Sequence, residues 1–304
     1  MQSLSPAQIL ALWETARPQH ALDRALTILL AATPGASRAA LADLPIGERD
    51  TRLLELRALL FGPRAEGFAE CPCCAERIDF PLDFAALATP AEERASVGPA
   101  NAPAEHTAET NGTILRFRVP TSRDLAVAAT APDSSSALHW LVQRCVLSPN
   151  DPSSRCHPEP RRRRGTSQLS TDPVSQASDS RALDPATPDL DAPSPDARSF
   201  GALRQPQDDK VRELSAETIE TLSRAMLEAD PQAEITLRLT CPACAHEWDL
   251  LFDIAEFFWR EISAQAQRLL REIDALARAY GWSEREILSL PAQRRQTYLE
   301  MLVA

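Results

Sequence analysis

Apolar residues in the N-terminal part of the chain recur every three or four positions, which is the spacing of one helix face. Ser5 and Pro6 form a typical helix start, because serine caps the free N–H groups and proline fits the first turn. Gly62-Pro63 is a typical helix end. The pattern therefore predicts three helices, at residues 6–16, 19–32 and 47–61.

Further along, the period changes from helical spacing to the strict alternation of apolar and polar residues that is typical of strands. Alternating segments occur at residues 77–84, 113–119, 234–240 and 246–252. Helical patterns occur after 121 and at 135–147, 215–228 and 253–279, and Gly281 is expected to end the last of these. A short helix capped by Ser283 and a final helix from Pro291 follow. The fold class predicted is α+β, predominantly α-helical, with a small antiparallel sheet.

Two segments show neither the helical spacing nor the strand alternation of apolar residues. Residues 88–112 are rich in Ala, Pro, Glu and Thr and are predicted to be a linker, and residues 148–210 to be a disordered insertion rich in Pro, Ser and Asp. An inert insertion is favoured over a functional basic arm at Arg161–Arg164. We therefore expect residues 1–147 and 211–304 to form one discontinuous domain, with 253–304 as a C-terminal helical assembly segment.

The charge of the chain narrows the possible partners. The 304 residues carry a net charge of −11, and Lys210 is the single lysine. Acidic proteins bind nucleic acid and anionic membranes poorly, so neither partner is expected. The N-terminal residues lack a basic segment followed by an apolar one, and the longest apolar run, at residues 25–32, is too short to span a bilayer. These features predict a cytoplasmic protein.

Four of the seven cysteines occupy the first and last positions of two Cys-Pro-x-Cys units. Such a unit directs two thiolates at one centre, and two units supply the four sulfurs of a closed tetrahedral zinc site. In a reducing compartment this spacing favours a metal over disulfides. The sequence therefore predicts one structural zinc ion per chain in a zinc-ribbon-like sheet built from the two separated knuckles. Its ligands are Cys71, Cys74, Cys241 and Cys244.

Several alternatives to this site remain open. Cys73 occupies the variable position of the first unit and is expected to be a bystander, whereas His246 could replace a thiolate. Free thiols are a second possibility, and a redox pair is a third, although neither unit has the strand-to-helix placement that lowers a thiol pKa. Alanine follows both units, at Ala75 and Ala245, where glycine is common.

The sequence shows no phosphate-binding loop, nucleophile elbow or zinc-protease motif, so no catalytic residue and no small-molecule substrate are predicted. The aromatic residues, only 5% of the chain, concentrate near the C-terminus. Most are expected to form the core, and some to form a partner-binding face. The residues predicted for that face are Phe257, Trp259, Tyr280, Trp282 and Tyr298.

The C-terminal run Ala279-Tyr-Gly-Trp-Ser-Glu-Arg-Glu-Ile-Leu-Ser-Leu-Pro291 resembles the end of small assembly proteins of contractile phage tails. The run Leu44-Pro-Ile-Gly-Glu-Arg-Asp50, the split Cys-Pro-x-Cys pair and Phe117-Arg-Val-Pro-Thr-Ser122 resemble baseplate hub assembly proteins of phages and phage-like contractile injection systems. The resemblance implies a non-enzymatic structural or chaperone-like role, other baseplate or tail proteins as partners, and possible incorporation into a tail-like particle. The alternative is a zinc-ribbon protein that binds nucleic acid or has a regulatory role.

Overall fold

The computed structural model describes residues 1–88, 104–147 and 214–303. The predicted insertion at 148–210 and part of the predicted linker at 88–112 lie outside these residues. Most described residues are helical. The helices are α1 (Pro6–Ala16), α2 (Ala21–Ala32), α3 (Arg38–Ala42), α4 (Ile46–Phe61), α5 (Phe84–Leu87), α6 (Ser122–Ala128), α7 (Ser134–Cys145), α8 (Ala216–Ala229), a 3₁₀ turn (Pro231–Ala233), α9 (Ile254–Tyr280), α10 (Glu284–Ser289) and α11 (Ala292–Val303).

The described strands pair in antiparallel hairpins. They are β1 (Arg64–Glu70) with β2 (Arg77–Asp83), β3 (His106–Thr110) with β4 (Thr113–Phe117), and β5 (Ile235–Thr240) with β6 (Glu247–Phe252). The single small sheet predicted from the sequence is therefore three separate two-stranded sheets. Two strands lie where none was predicted, since β1 had no assignment and β3 falls inside the predicted linker. Both have little alternation of apolar and polar residues, so their pairing partners rather than their own patterns define them.

Side-chain caps hold the helix ends at the predicted places. Ser5 with Gln8 and Ser283 with Glu286 form capping boxes at the starts of α1 and α10. Asp253 caps α9 by accepting the backbone N–H of Glu256 at 3.0 Å. Gly281, with φ of 68°, ends α9 in the left-handed conformation that glycine adopts without strain. Among the described helices, none combines the length and apolar character needed to cross a membrane.

The main core lies where α9 packs against α1, α2 and α4. The predicted apolar face of α9 supplies Phe258, Ile262 and Leu269, which are all buried. A second, smaller core joins the β3–β4 hairpin to α7 and α8 and contains Phe117, Val142 and Leu222. The long helix α9 thus brings the C-terminal part of the chain against its first helices.

A buried carboxylate beside the smaller core accepts hydrogen bonds from several surrounding residues. Asp124 is fully buried at the start of α6, and it accepts two bonds from Arg118, at 2.6 and 2.9 Å, and one from Arg144 at 3.0 Å. It also accepts the backbone N–H of Thr121 at 3.0 Å. Burial alone would raise the pKa of Asp124, but the bonds from Arg118 and Thr121 outweigh it and lower that pKa.

Because the folded-state pKa of Asp124 is lowered, its contribution to stability is complete at neutral pH and is lost as the pH falls below about 4, the ordinary aspartate value. Asp124→Asn should lower the free energy of unfolding by about 2–3 kcal/mol at pH 7, because it removes the buried negative charge that binds Arg118 and Arg144. The difference from wild type should shrink at pH 3.5 in urea titrations. Asp249→Asn, in the exposed pair with Arg238, is the control and should change the free energy of unfolding much less, because solvent screens exposed pairs. Equal effects at both pH values would contradict the assignment.

A glycine permits close contact between the start of α4 and the end of α8. The backbone N–H of Gly47 donates to the Asp230 carboxylate at 2.9 Å, so a side chain distant in sequence caps α4. A β-carbon at position 47 would lie 1.9 Å from the other oxygen of Asp230 and 2.8 Å from the β-carbon of Gln232. Only glycine fits this contact without a shift of its neighbours.

Gly47→Ala is therefore expected to destabilise the protein by about 2–3 kcal/mol, the combined cost of overpacking and of a lost cap. Urea titration of Gly47→Ala, Asp230→Ala and the double variant measures these changes in the free energy of unfolding. In an Asp230→Ala background the same substitution should cost clearly less, because the two residues share one contact. Full additivity of the two substitutions would show that the clash with Asp230 is not the cause.

Candidate metal centre

Each Cys-Pro-x-Cys unit forms the tight turn between two strands of a hairpin. The first unit joins β1 to β2, and the second joins β5 to β6. In the first, the backbone N–H of Ala75 donates to the carbonyl of Cys71, and in the second that of Ala245 donates to Cys241, both at 2.9 Å. Ala75 and Ala245 have positive φ, 60° and 57°. Alanine thus takes the conformation that glycine usually supplies, at a cost of about 1–2 kcal/mol per residue.

The two turns bring the four predicted ligands together. The sulfurs of Cys71, Cys74, Cys241 and Cys244 all lie within 4.8 Å of one another. Cys71 Sγ is 3.6 Å from Cys244 Sγ, and Cys74 Sγ is 3.6 Å from Cys241 Sγ. A tetrahedron with Zn–S bonds of about 2.3 Å has sulfurs about 3.8 Å apart. Both the donor chemistry and the spacing therefore fit a metal ion such as zinc, and the four residues could hold one.

The pKa values of the Cys71 and Cys244 thiols are shifted in opposite directions. Although desolvation opposes ionisation of Cys71, the backbone N–H groups of Cys74 and Cys73 donate to its sulfur and lower its pKa to about 7. At Cys244 the backbone N–H of His246 favours the thiolate, but desolvation and the neighbouring sulfurs raise the pKa. Metal must displace the protons that remain, so its affinity should fall as the pH falls.

Burial divides the cluster into an inner and an outer pair. Cys71 and Cys241 are 2% and 1% exposed. Cys74 and Cys244 are exposed at the surface. The centre therefore lies at the edge of the protein, with one thiolate of each knuckle directed inward. A metal there would connect the β1–β2 hairpin to the β5–β6 hairpin.

The alternative ligands lie outside this group. Cys73 is exposed, and His246 stacks on Trp248 with ring centres 6.1 Å apart. Neither belongs to the ligand group found among the described residues. Cys145 is buried in the smaller core, where burial raises its pKa to about 12, so it is an unreactive thiol.

The residues predicted for a partner-binding face divide into two groups. Trp259 is only 8% exposed and lies in the main core beneath Arg24, so it is not available to a partner. Phe257 is half-buried and packs on Phe84 and Phe252. Phe257 therefore packs where β2 and β6 lead into α5 and α9, at the ends of the two hairpins opposite to the knuckles, and Trp259 belongs to the main core.

The other three predicted residues meet at the C-terminal end of the chain. The ring of Tyr280 stacks on Trp282, with centres 4.7 Å apart, and Tyr298 contacts both rings edge-on at 5.5 and 4.9 Å. We call Tyr280, Trp282 and Tyr298 the aromatic cluster. It holds α11 against the turn after α9 while its outer surface stays partly exposed.

Sequence reasoning missed a buried ion pair at the end of the β1–β2 hairpin opposite to the knuckle. Arg57, 2% exposed, donates to Glu261 at 2.5 and 2.8 Å and to the carbonyls of Gly62 and Arg64. Its guanidinium lies 3.9 Å from the centre of the Phe84 ring. The available signal was a charged residue on the apolar face of α4, four positions after Leu53, since a charge at such a position requires a partner.

Comparison with known proteins relates part of this region to a family of phage baseplate proteins. Residues 204–259 match a protein-family model described as "T4 bacteriophage base plate protein". The described part of that range contains α8, the β5–β6 hairpin with Cys241 and Cys244, and the first turns of α9. No curated protein and no solved structure matches the chain. The match supports, for this segment and at a coarse level, a relationship to phage baseplate proteins.

Proposed function

We propose that this chain is a non-enzymatic structural or chaperone-like protein that acts in the assembly of a phage-type contractile tail or injection-system baseplate. The observation that carries the proposal is the baseplate family match over residues 204–259. The matched segment includes half of the metal centre and the start of α9, which contacts α1, α2 and α4. The match therefore includes the β5–β6 hairpin and the start of the helix that packs in the main core.

The proposed metal is one structural zinc ion per chain, held by Cys71, Cys74, Cys241 and Cys244. Four thiolates complete a tetrahedral shell and leave no position for water or substrate, which is typical of structural rather than catalytic zinc. Isolated two-stranded hairpins are at best marginally stable in water. A metal shared by two of them supplies the stability that neither hairpin has alone.

The alternative, binding of nucleic acid through the knuckles, is disfavoured by the local charges. Arg77 and Arg238 are the basic residues nearest to the two units in the chain. Arg77 pairs with Asp79 at 3.3 Å, and Arg238 pairs with Asp249 at 2.8 Å. Paired arginines attract phosphates weakly, and the chain as a whole is acidic.

For the partner-binding face, the proposal now rests on the C-terminal helices. Met301 and Leu302 follow Tyr298 by three and four positions on α11, so they share one side of that helix with the aromatic cluster. Met301 is 63% exposed and Leu302 41%. Aromatic rings beside exposed aliphatic side chains are typical of the anchoring residues in protein interfaces.

The test is particle assembly in the organism that produces the tail. Removal of the gene should abolish complete contractile particles in electron micrographs, and the wild-type chain supplied in trans should restore them. Mass spectrometry of purified particles distinguishes a retained structural subunit from a chaperone. Normal particles without the gene would refute the proposed role.

The face is tested by complementation with Met301→Ser/Leu302→Ser. Because both side chains are exposed, this variant should fold with unchanged thermal stability and yet fail to restore particles. Ile114→Ser is the matched control, since Ile114 is 70% exposed on the β3–β4 hairpin, away from the proposed face. Restoration by the double variant, or equal failure of the control, would exclude this face.

A further inference from the structure

We infer that residues 65–88 and 235–258 are two copies of one structural unit, and that the metal centre lies on a local twofold axis between them. Each unit consists of a hairpin, the knuckle at its tip and the helix turn that follows. The inference rests on the proposed metal-binding role of the four cysteines. It adds that the site is composed of two equivalent half-sites, each of which has the other copy as its partner.

The two segments align without a gap when Cys71 is placed on Cys241. The identical residues extend beyond the cysteines and the proline, because an alanine follows each knuckle and two aspartates recur at the same positions of the return strand. The identical pairs are Cys71 and Cys241, Pro72 and Pro242, Cys74 and Cys244, Ala75 and Ala245, Asp79 and Asp249, Asp83 and Asp253, and Ala85 and Ala255.

The backbones agree position by position. In both hairpins the residue before the knuckle pairs with the third residue after its second cysteine, so Glu70 pairs with Arg77 and Thr240 with Glu247. Every further pair of the two ladders follows in the same register. In the turns, the N–H of Cys71 donates to the carbonyl of Glu76, and that of Cys241 donates to the carbonyl of His246, both at 2.9 Å.

The equivalence continues into the helices and the burial of the side chains. Asp83 caps α5 by accepting the N–H of Ala86 at 3.3 Å, and Asp253 caps α9 through the matching bond at 3.0 Å. Residues 71–80 and 241–250 show the same order of buried, half-buried and exposed positions throughout. Agreement in register, caps and burial together is more than two zinc knuckles require.

The sulfur contacts show how the two units are related. The inner sulfur of each unit contacts the outer sulfur of the other, Cys71 with Cys244 and Cys241 with Cys74, and both distances are 3.6 Å. When residue i of one unit contacts residue j of the other and the reverse contact has the same length, the interface is isologous. A twofold axis through the centre of the four sulfurs produces this arrangement.

The equivalence of the two units determines which of the candidate residues can be metal ligands. Cys73 occupies the position of Ala243, and His246 occupies that of Glu76, so a ligand at either position would have no counterpart in the other unit. Two equal half-sites therefore exclude both residues. They also predict equal roles for Cys71 and Cys241, the inner pair, and for Cys74 and Cys244, the outer pair.

The test uses the full chain and measures zinc affinity by competition with a chelator. Cys74→Ser and Cys244→Ser should weaken zinc binding by similar factors. Each factor should exceed the loss of about 10- to 100-fold in affinity that follows removal of a group hydrogen-bonded to a ligand. Cys71→Ser and Cys241→Ser should likewise match each other. An exchange variant, Cys73→Ala/Glu76→His together with Ala243→Cys/His246→Glu, should keep one zinc and wild-type affinity, because it transposes exposed residues between equivalent positions.

Retention of tight binding by only one variant of the outer pair would overturn the inference, since it would reveal a replacement ligand in one unit. Loss of zinc from the exchange variant with its fold intact would also overturn it. Wild-type protein without zinc would instead refute the proposed structural metal, and with it any metal-centred twofold axis. Particle assembly is measured separately, so the proposed baseplate role can stand or fail independently of the repeat.

Discussion

Cys241→Ser is expected to abolish zinc binding and to lower the free energy of unfolding by several kcal/mol. Structural zinc contributes about 10–16 kcal/mol to the folding of small zinc peptides, whereas whole domains are stable by only about 5–15 kcal/mol. Cys241 is only 1% exposed, so the substitution also places a hydroxyl at a buried position. Metal analysis of protein purified without added zinc, and thermal unfolding of the same samples, measure both effects.

The matched control is Cys73→Ser, which removes a thiol from the same kind of turn. Because Cys73 is exposed and outside the ligand group, the variant should keep one zinc per chain and unfold within a few degrees of wild type. A chelator should destabilise wild type and the control to a similar degree and leave Cys241→Ser unchanged. A Cys241→Ser protein with full zinc and unchanged stability would contradict the metal site.

The centre was predictable because its chemistry is local. Two cysteines separated by two residues define a half-site within one turn, and only one pair of such turns exists in the chain. Helix ends were predictable for the same reason, since Ser5 and Ser283 act on backbone groups three residues away. Properties that depend on a few neighbouring residues can be read directly from the order of residues.

Properties that depend on distant partners were not predictable. The strand β1 has little apolar alternation and exists because β2 pairs with it, and β3 depends in the same way on β4. Trp259 lies off the main apolar face of α9, yet Arg24 of α2 covers its ring. In each case the deciding contact comes from an element that periodicity alone cannot place.

Loop-closure entropy does not prevent a metal at the four cysteines from joining segments far apart in the chain. The contacting cysteines are separated by 173 and 167 residues. Closing such a long loop costs only slightly more entropy than closing a shorter one, because the cost grows with the logarithm of loop length. The number of residues between the two units can therefore change with little effect on the cluster of four cysteines, provided that each unit stays complete.

The second large effect is expected at Arg57, which joins α4 to α9 and to the start of β1. Arg57→Ala removes both bonds to Glu261, leaves the carbonyls of Gly62 and Arg64 without a donor and opens a cavity beside Phe84. Loss of one partner of a buried ion pair costs about 3–5 kcal/mol, and urea titration should show a loss of that size. Arg57→Lys should recover only part of it, because an ammonium cannot form the paired bonds of a guanidinium.

Arg260→Ala is the matched control for Arg57→Ala, because it removes an arginine next to Glu261 on the same helix. Arg260 pairs with Glu256 at 3.0 Å on the exposed side of α9, and exposed pairs of this spacing contribute about 0.3–0.5 kcal/mol. The two substitutions therefore differ in burial rather than in chemistry. If Arg57→Ala cost no more than Arg260→Ala, the buried pair would not hold the β1–β2 hairpin to α9, and a metal bound by the four cysteines would have to hold that hairpin in place by itself.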